Sequence, residues 1–232
     1  MNYKVGTDDP KLWRDTGAGV WNSVPMSPVM HAQKLLMSTQ IGAVALAIGR
    51  HAAANLNHYL GNTGESVTID LANMVKSSES GQAVFDNELN EAKQFAEALG
   101  PGDWNITSSQ TSPGDNALDQ TKDWFYAVGG YQAWGKASVT VPPISARPRN
   151  FCMDFEYCFF QQYNWNKGIG VNIGPIRVTD KFMSDFHLQG LAREYEMRGS
   201  YHVIVQWQPG VKPATQRDMS QLAMATGEGL WH

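Results

Sequence analysis

Hydrophobic residues recur with a helical period through the first part of the chain. From Val29 to about Leu60 there is no further proline, and apolar residues three and four positions apart form a broad stripe. Ser27-Pro28 precedes the stretch as a capping hydroxyl and a proline suited to the first helical position. The pattern predicts a long helix, with a break near Gly42 or Gly49.

Two shorter helices are predicted before residue 102. Asp70 to Lys76 is a short amphipathic segment, and Ala83 to Leu99 places apolar residues on one face. Gly100-Pro101-Gly102 follows as a stop signal. We therefore expect residues 1–102 to form a helical region.

The pattern changes after Gly102. Residues 104–119 are rich in small and polar residues and predict a surface loop. Short aromatic and β-branched runs then predict strands at Trp124–Val128, Tyr131–Trp134 and Ala137–Val141. From Phe151 to Phe159 aromatic residues alternate with smaller or polar ones, which predicts a strand whose aromatic face lies in the core.

The remainder of the chain combines one short helix with one long strand. Thr179-Asp180 is a helix start and Gly190 its stop. Ala192 to Trp207 is strand-like, with a bulge or turn expected at Gly199-Ser200, and the tail after Pro209 predicts a small helix or ordered extension. Segregated helices and strands indicate an α+β fold, in which the helical region packs on an antiparallel sheet formed by residues 103–232.

Composition narrows the class of protein. The net charge is −4 and no run of Lys or Arg occurs, which argues against binding a nucleic-acid backbone. Met1 to Gly17 is too polar for a secretory signal, so we expect a carrier to deliver the chain outside the cell. The most apolar stretch, Ile41 to Gly49, is too short to span a membrane.

Cysteines and histidines offer little sign of a disulfide or a metal. Cys152 and Cys158 share one face of a predicted strand about 20 Å apart, too far to bond to each other. His51 and His58 are separated by two helical turns, roughly 10 Å, which a single metal ion cannot bridge. We predict no metal and no cofactor.

His187 is the strongest candidate for acid–base chemistry. It follows Asp180 by seven residues and is followed by Arg193 and Glu194. A histidine near carboxylates can act as a general base or acid, and an arginine can hold an anion. The alternative is that His187 caps the end of its helix beside a surface cluster of ion pairs.

Two further groups could bind a substrate. The segment from Gln161 to Gly168 follows the aromatic strand and suits either a rigid turn or the rim of a ligand site, with Tyr163, Asn164 and Trp165 as the candidate binding residues. Asp154 and Glu156 share the second face of that strand, where they either line a cleft or remain solvated.

Residues 124–134 and 163–200 carry a family resemblance. An aromatic run before Gly129-Gly130 is followed by Tyr163-Asn164-Trp165 and Lys167, and a third group extends to Gly199-Ser200. That group comprises Thr179, Asp180, Met183, His187 and Gly190 to Tyr195. The chain thereby resembles C-terminal toxin domains of bacterial polymorphic toxin systems, including Rhs-type and type VI secretion effectors. The resemblance implies a cognate immunity protein and a secretion carrier as partners.

The chain departs from the toxin domains that it resembles beside the Tyr-Asn-Trp segment. Those domains have acidic residues on either side of it, where this chain has Gln162 and Asn166. If those acids act in catalysis, their absence argues against a catalytic role for this segment.

The leading hypothesis is a hydrolytic toxin used in competition between bacteria, acting on an envelope or nucleotide-type substrate. One alternative is a toxin that perturbs membranes through the helix from Val29 to Leu60. Another is a non-enzymatic structural or binding module of a secretion or phage-like particle.

Overall fold

A computed structural model describes residues 2–110, 122–165, 170–173 and 176–210. Within these ranges the helices are α1 (Pro28–Thr39), α2 (Ile41–Ile48), α3 (Arg50–Gly61), α4 (Leu71–Ser77), α5 (Glu79–Glu97), α6 (Lys122–Val128) and α7 (Asp180–Leu188). The strands are β1 (Tyr3–Val5), β2 (Val67–Thr68), β3 (Gly102–Ser108), β4 (Gln132–Val141), β5 (Phe151–Tyr163), β6 (Gly170–Ile173), β7 (Ile176–Thr179) and β8 (Tyr195–Trp207). The α+β prediction is confirmed.

The main sheet has six strands in the order β1-β3-β4-β5-β8-β2. All neighbours are antiparallel except β2, which runs parallel to β8. β6 and β7 form a separate hairpin. Because β1 and β2 come from the first third of the chain, that region contributes to the sheet as well as to the helices.

One face of β5 supplies the centre of the core. Phe151, Met153, Phe155 and Tyr157 are fully buried, as the alternation predicts. Phe85 of α5 packs its ring against Phe155 and Tyr157, with ring centroids 6.0 and 5.4 Å apart. This contact fixes α5 across the sheet.

Helices α4 and α7 begin at the capping residues that the sequence indicates. Asp70 accepts a hydrogen bond from the Asn73 amide at the start of α4, and the Thr179 hydroxyl accepts one from the Phe182 amide at the start of α7. The predicted long helix is divided into three helices, with the expected break at Gly49 and a second boundary at Gln40, close to Gly42. Gly49 has a φ of 117°, which a residue with a side chain rarely adopts, so the helix cannot continue through it.

Several strand predictions were wrong. Trp124–Val128 belongs to helix α6, and the two runs predicted at Tyr131–Trp134 and Ala137–Val141 are one strand, β4. Residues 104–108, predicted as loop, lie in β3.

The turn and bulge predictions need correction as well. Gln161, Gln162 and Tyr163 continue β5, and β8 passes through Gly199-Ser200 without a bulge, keeping its register against β5. Gly199 lies close against Ile69, which leaves no room for a side chain there. The cysteines share the outer face of β5 as predicted, and both are free. The predicted tail helix lies outside the described residues.

Candidate functional site

A long N-terminal segment connects the outer face of the sheet to α1. We call residues 9–27 the strap. Its first part is fixed to β4 by paired hydrogen bonds. The Trp13 amide donates to Gln132 Oε1 at 2.7 Å, and Gln132 Nε2 donates to the Trp13 carbonyl at 2.7 Å. Arg14 then forms an ion pair with Glu196 at 2.8 Å. Sequence reasoning did not anticipate these contacts, because their partners are more than a hundred positions away.

The middle of the strap meets the end of β5. The Asp15 amide donates to Gln162 Oε1 at 2.8 Å, and Asn164 Nδ2 donates to Asp15 Oδ1. The same carboxylate oxygen accepts from the Gly17 amide at 2.8 Å, which shapes the local turn. Asp15 therefore lies beside the predicted Tyr-Asn-Trp segment.

The last part of the strap runs along the C-terminal end of α7. The amides of Asn22 and Val24 donate to the carbonyls of His187 and Leu188, at 3.2 and 2.9 Å. Carbonyls at the end of a helix lack partners within the helix, so the strap satisfies two of them. The Ser27 amide donates to Gln189 Oε1 at 2.7 Å and leads into α1.

His187 is buried and both its ring nitrogens have backbone partners. The Glu194 amide donates to Nδ1 at 3.2 Å, so Nδ1 must be the unprotonated nitrogen. Nε2 therefore carries the proton and donates to the Gly19 carbonyl at 3.1 Å. The neutral ring connects the strap to the segment between α7 and β8.

Glu194 joins the strap to the predicted binding segment. Its carboxylate accepts hydrogen bonds from the Ala18 amide at 3.0 Å and the Trp165 amide at 2.9 Å. Burial raises the pKa of Glu194, while these two hydrogen bonds act in the opposite direction. The residue holds two separate backbone segments together.

Arg193 points away from this contact. Its guanidinium lies over the ring of Trp21, 4.7 Å from the centroid, and one nitrogen is 3.4 Å from the Thr63 carbonyl. Arg193 is exposed, so it covers the strap from the outside.

A cleft of about 460 Å³ opens where the strap, α6 and the end of β5 meet. Asp15 of the strap and Asp180, the first residue of α7, both line it. Four amide side chains line the cleft, from Gln132, Gln161, Gln162 and Asn164. Aromatic side chains come from Trp13, Phe125, Tyr126, Tyr163 and Trp165, and the rest of the lining is Ala127, Val128, Gly129 and Gly130. Of the nine predicted site residues, the cleft includes Asp180, Tyr163, Asn164 and Trp165.

Ring-to-ring contacts hold the aromatic wall of the cleft. Tyr163 stacks on Tyr195 with centroids 4.9 Å apart, and Trp165 meets the edge of Tyr163 at 5.9 Å. Burial raises the pKa of Tyr163, so its phenol stays neutral. The Trp165 indole nitrogen is buried and has no hydrogen-bond partner among the residues described.

Asp154 and Glu156 occupy a different part of the molecule. They line a groove of about 160 Å³ on the outer face of the sheet, with Lys136 and His202. Glu156 Oε1 is 3.3 Å from His202 Nε2. Glu156 precedes Tyr163 by seven residues in one strand, roughly 23 Å, so the structure does not bring these acids to the cleft.

A histidine–carboxylate pair lies between α3 and α6. His51 Nδ1 is 2.8 Å from Asp123 Oδ2, and the imidazole stacks on Trp124 at 4.0 Å. Asp123 Oδ1 accepts the amides of His51 and Ala52, which caps the start of α3. Asp123 was missed because it lies between the predicted loop and the strand predicted from Trp124, where no helix was expected.

Within the described ranges, no group of three or more His, Cys, Asp or Glu side chains is placed to hold a metal ion. Nor does any helix there have the length and hydrophobicity to cross a membrane.

Comparisons with known proteins give a limited result. No family model matches the chain, and no curated protein matches it. Among solved structures, it is similar to PaeM, a colicin M-like bacteriocin produced by Pseudomonas aeruginosa, with 13% identity and a TM-score of 0.39 over 69% of this chain and 52% of PaeM.

The bacteriocin syringacin M from Pseudomonas syringae pv. tomato DC3000 gives 11% identity and a TM-score of 0.39, over 68% of this chain and 52% of that one. A truncated form of syringacin M gives 13% identity and a TM-score of 0.38, over 70% and 61%. The chain thus spans between about half and three fifths of these proteins. TM-scores this low do not establish a common fold, so the likeness assigns no activity to the chain.

Proposed function

We propose that this chain is an antibacterial toxin domain that binds a polar substrate in the strap cleft and hydrolyses it. The observation that carries the proposal is the meeting of Asp15 and Asp180 on one cleft that is lined mainly by amide and aromatic side chains. Clefts of this composition suit small polar ligands, since aromatic surfaces give contact area and amides give orientation.

The carboxylates would supply the acid–base chemistry. Asp180 lies in the first turn of α7, where the helix dipole favours a negative charge. In this proposal Asp180 is the general base that takes a proton from the attacking water, and Asp15 orients that water or the leaving group. The substrate class is of envelope or nucleotide type, as the sequence led us to expect.

His187 takes a different role from the one the sequence favoured. Its two nitrogens are engaged with Gly19 and Glu194, and the residues lining the cleft do not include it. We assign it to positioning, because it holds the strap that carries Asp15. Arg193 and Glu194 act in the same way, one through Trp21 and the other through Ala18 and Trp165.

The biological setting follows from the resemblance to polymorphic toxin domains at residues 124–134 and 163–200. In that setting the chain competes with other bacteria, reaches its target through a carrier, and is neutralised in the producing cell by an immunity protein.

Inducible expression in a sensitive bacterium tests the proposal, with the chain directed to the cytoplasm or, through an added leader, to the periplasm. The decisive variant is Asp180→Asn, which keeps the size of the side chain and removes its basicity. Loss of a general base predicts toxicity lower by roughly a hundredfold or more. Asp185→Asn is the matched control, because Asp185 lies on the same helix and pairs with the exposed Lys181 at 2.9 Å.

The outcomes also separate the alternatives. Full toxicity of a folded Asp180→Asn protein would refute hydrolysis by this cleft. Toxicity that persists with dye release from vesicles would support the membrane-perturbing alternative through Val29 to Leu60. No toxicity of the unaltered chain in either compartment would favour a structural or binding module.

A further inference from the structure

Exposed apolar side chains are concentrated in one region. Of the twelve large hydrophobic side chains that are exposed among the described residues, eight fall between positions 20 and 46. We call these eight the apolar patch: Val20, Trp21, Val24, Met26, Val29, Leu35, Leu36 and Leu46. Leu46 is 92% exposed. Such a concentration marks an interaction surface more often than chance exposure does.

Helix α1 is apolar on two sides. Met30 and Met37, seven positions apart, pack against the core from one side. Val29 and Leu36, also seven apart, point away from it and are joined there by Leu35, and no residue of α1 is fully buried. A helix with a second apolar side usually has a second apolar neighbour. In the structure described, the outward side of α1 meets solvent.

The charge around the patch is distinctive. Residues 16–64 contain no Asp or Glu, and Lys34 and Arg50 give them a formal charge of +2. Since the whole chain carries −4, the remainder carries −6. Arg193 adds a further cation at the patch through its contact with Trp21. The stretch that carries the apolar patch thus has a net positive charge of its own, with Glu194 and Asp123 contacting its two ends at Ala18 and His51.

We propose that the apolar patch is a docking surface for an anionic lipid bilayer. Helix α1 lies in the plane of the interface with Val29, Leu35 and Leu36 among the upper acyl chains, and the exposed Arg50 and Arg193 near the headgroups. Trp21 suits the boundary, because its ring is apolar while its indole nitrogen donates to Asn62 at 3.1 Å. The chain rests on the membrane without crossing it.

Co-flotation with vesicles tests this proposal. Vesicles of equal parts phosphatidylglycerol and phosphatidylcholine should carry the protein, and vesicles of phosphatidylcholine alone should carry less. A Leu35→Glu/Leu36→Glu variant should partition at least roughly tenfold less onto the anionic vesicles, because it removes apolar contact and adds repelled charge. Trapped dye should stay inside.

The matched control is Ile144→Glu, since Ile144 is 70% exposed but lies outside the patch. Its partition should equal that of the unaltered chain. Equal loss in both variants, or no binding to anionic vesicles, would overturn the proposal. Self-association without lipid binding would also overturn it. That outcome would appear in light scattering as a larger mass, which the Leu35→Glu/Leu36→Glu variant abolishes. An Asp180→Asn protein should bind vesicles normally, which keeps this test independent of the proposed hydrolysis.

Discussion

His187 donates a hydrogen bond from Nε2 to the carbonyl of Gly19, 168 positions earlier in the chain. The Glu194 amide fixes the opposite nitrogen as the acceptor, so the imidazole is a neutral link between two backbone segments. A histidine used in this way contributes to stability and to the position of the strap. This structural role of His187 differs from proton transfer in catalysis, and experiments can distinguish the two roles.

Replacing His187 by alanine should destabilise the fold. The change leaves the Glu194 amide and the Gly19 carbonyl without their partner, which costs roughly 1–3 kcal/mol. Urea unfolding followed by tryptophan fluorescence measures the loss. His202→Ala is the control, because His202 is exposed on the outer face of the sheet and pairs with Glu156 across two strands.

A catalytic His187 would behave differently. Unchanged stability together with abolished toxicity would show that the ring acts on the substrate and would return it to the centre of the site. The positioning role predicts that stability and toxicity fall together.

Two neighbouring carboxylates that contact the strap, Glu194 and Glu196, provide a second comparison. Glu194→Ala removes the acceptor of the Ala18 and Trp165 amides and should cost roughly 1–3 kcal/mol. Glu196→Ala removes a partly exposed ion pair with Arg14 and should cost about 1 kcal/mol or less. Chemical denaturation measures both. Equal costs would mean that the strap is not anchored through Glu194.

Helices and strands that are determined by neighbouring residues in the chain could be predicted from the sequence. Helix α7 begins at the Thr179 cap and ends before Gly190, whose φ of 67° is accessible to glycine without strain. The alternation of aromatic residues correctly predicted which face of β5 lies in the core, because residues two positions apart share one face of a strand.

Elements fixed by distant partners could not be predicted. Helix α6 is aromatic enough to suggest a strand, yet Asp123 caps α3 and Trp124 is buried against it, so tertiary packing outweighs local preference. The strap has no periodicity of its own, since its form depends on hydrogen bonds to β4, β5 and α7. For the same reason Asp15 was not among the predicted site residues, whereas Asp180 and Tyr163, which line the same cleft, were.

The backbone at Gly135 is closely surrounded by side chains from neighbouring elements. A side-chain carbon added there would lie 2.7 Å from the Phe155 ring and 2.8 Å from the Glu88 carboxyl, and would also meet the Tyr3 hydroxyl. Gly135→Ala should therefore cost about 1–3 kcal/mol by overpacking. Gly130→Ala is the control, because open space surrounds Gly130. Thermal unfolding compares the two, and equal melting temperatures would contradict the close packing.

Glu88 should make stability depend on pH. The carboxyl is fully buried beneath the sheet, and burial raises its pKa above the ordinary 4.5, although a 2.5 Å hydrogen bond from the Tyr3 hydroxyl acts in the opposite direction. A raised pKa in the folded state means that the folded protein binds the proton more tightly than the unfolded chain does. The stabilisation is therefore complete below the unfolded pKa and is lost as pH rises through the folded pKa.

Glu88→Gln should remove this dependence while keeping an acceptor for Tyr3. The variant should gain stability relative to the unaltered chain as pH rises from the acidic range to neutrality, and the two should converge at acidic pH. Melting temperatures across that range measure the difference. Asp86→Asn, an exposed change on the same helix, should leave the profile unchanged. Parallel profiles for the unaltered chain and Glu88→Gln would show that Glu88 titrates alike in the folded and unfolded states, and would refute the raised pKa.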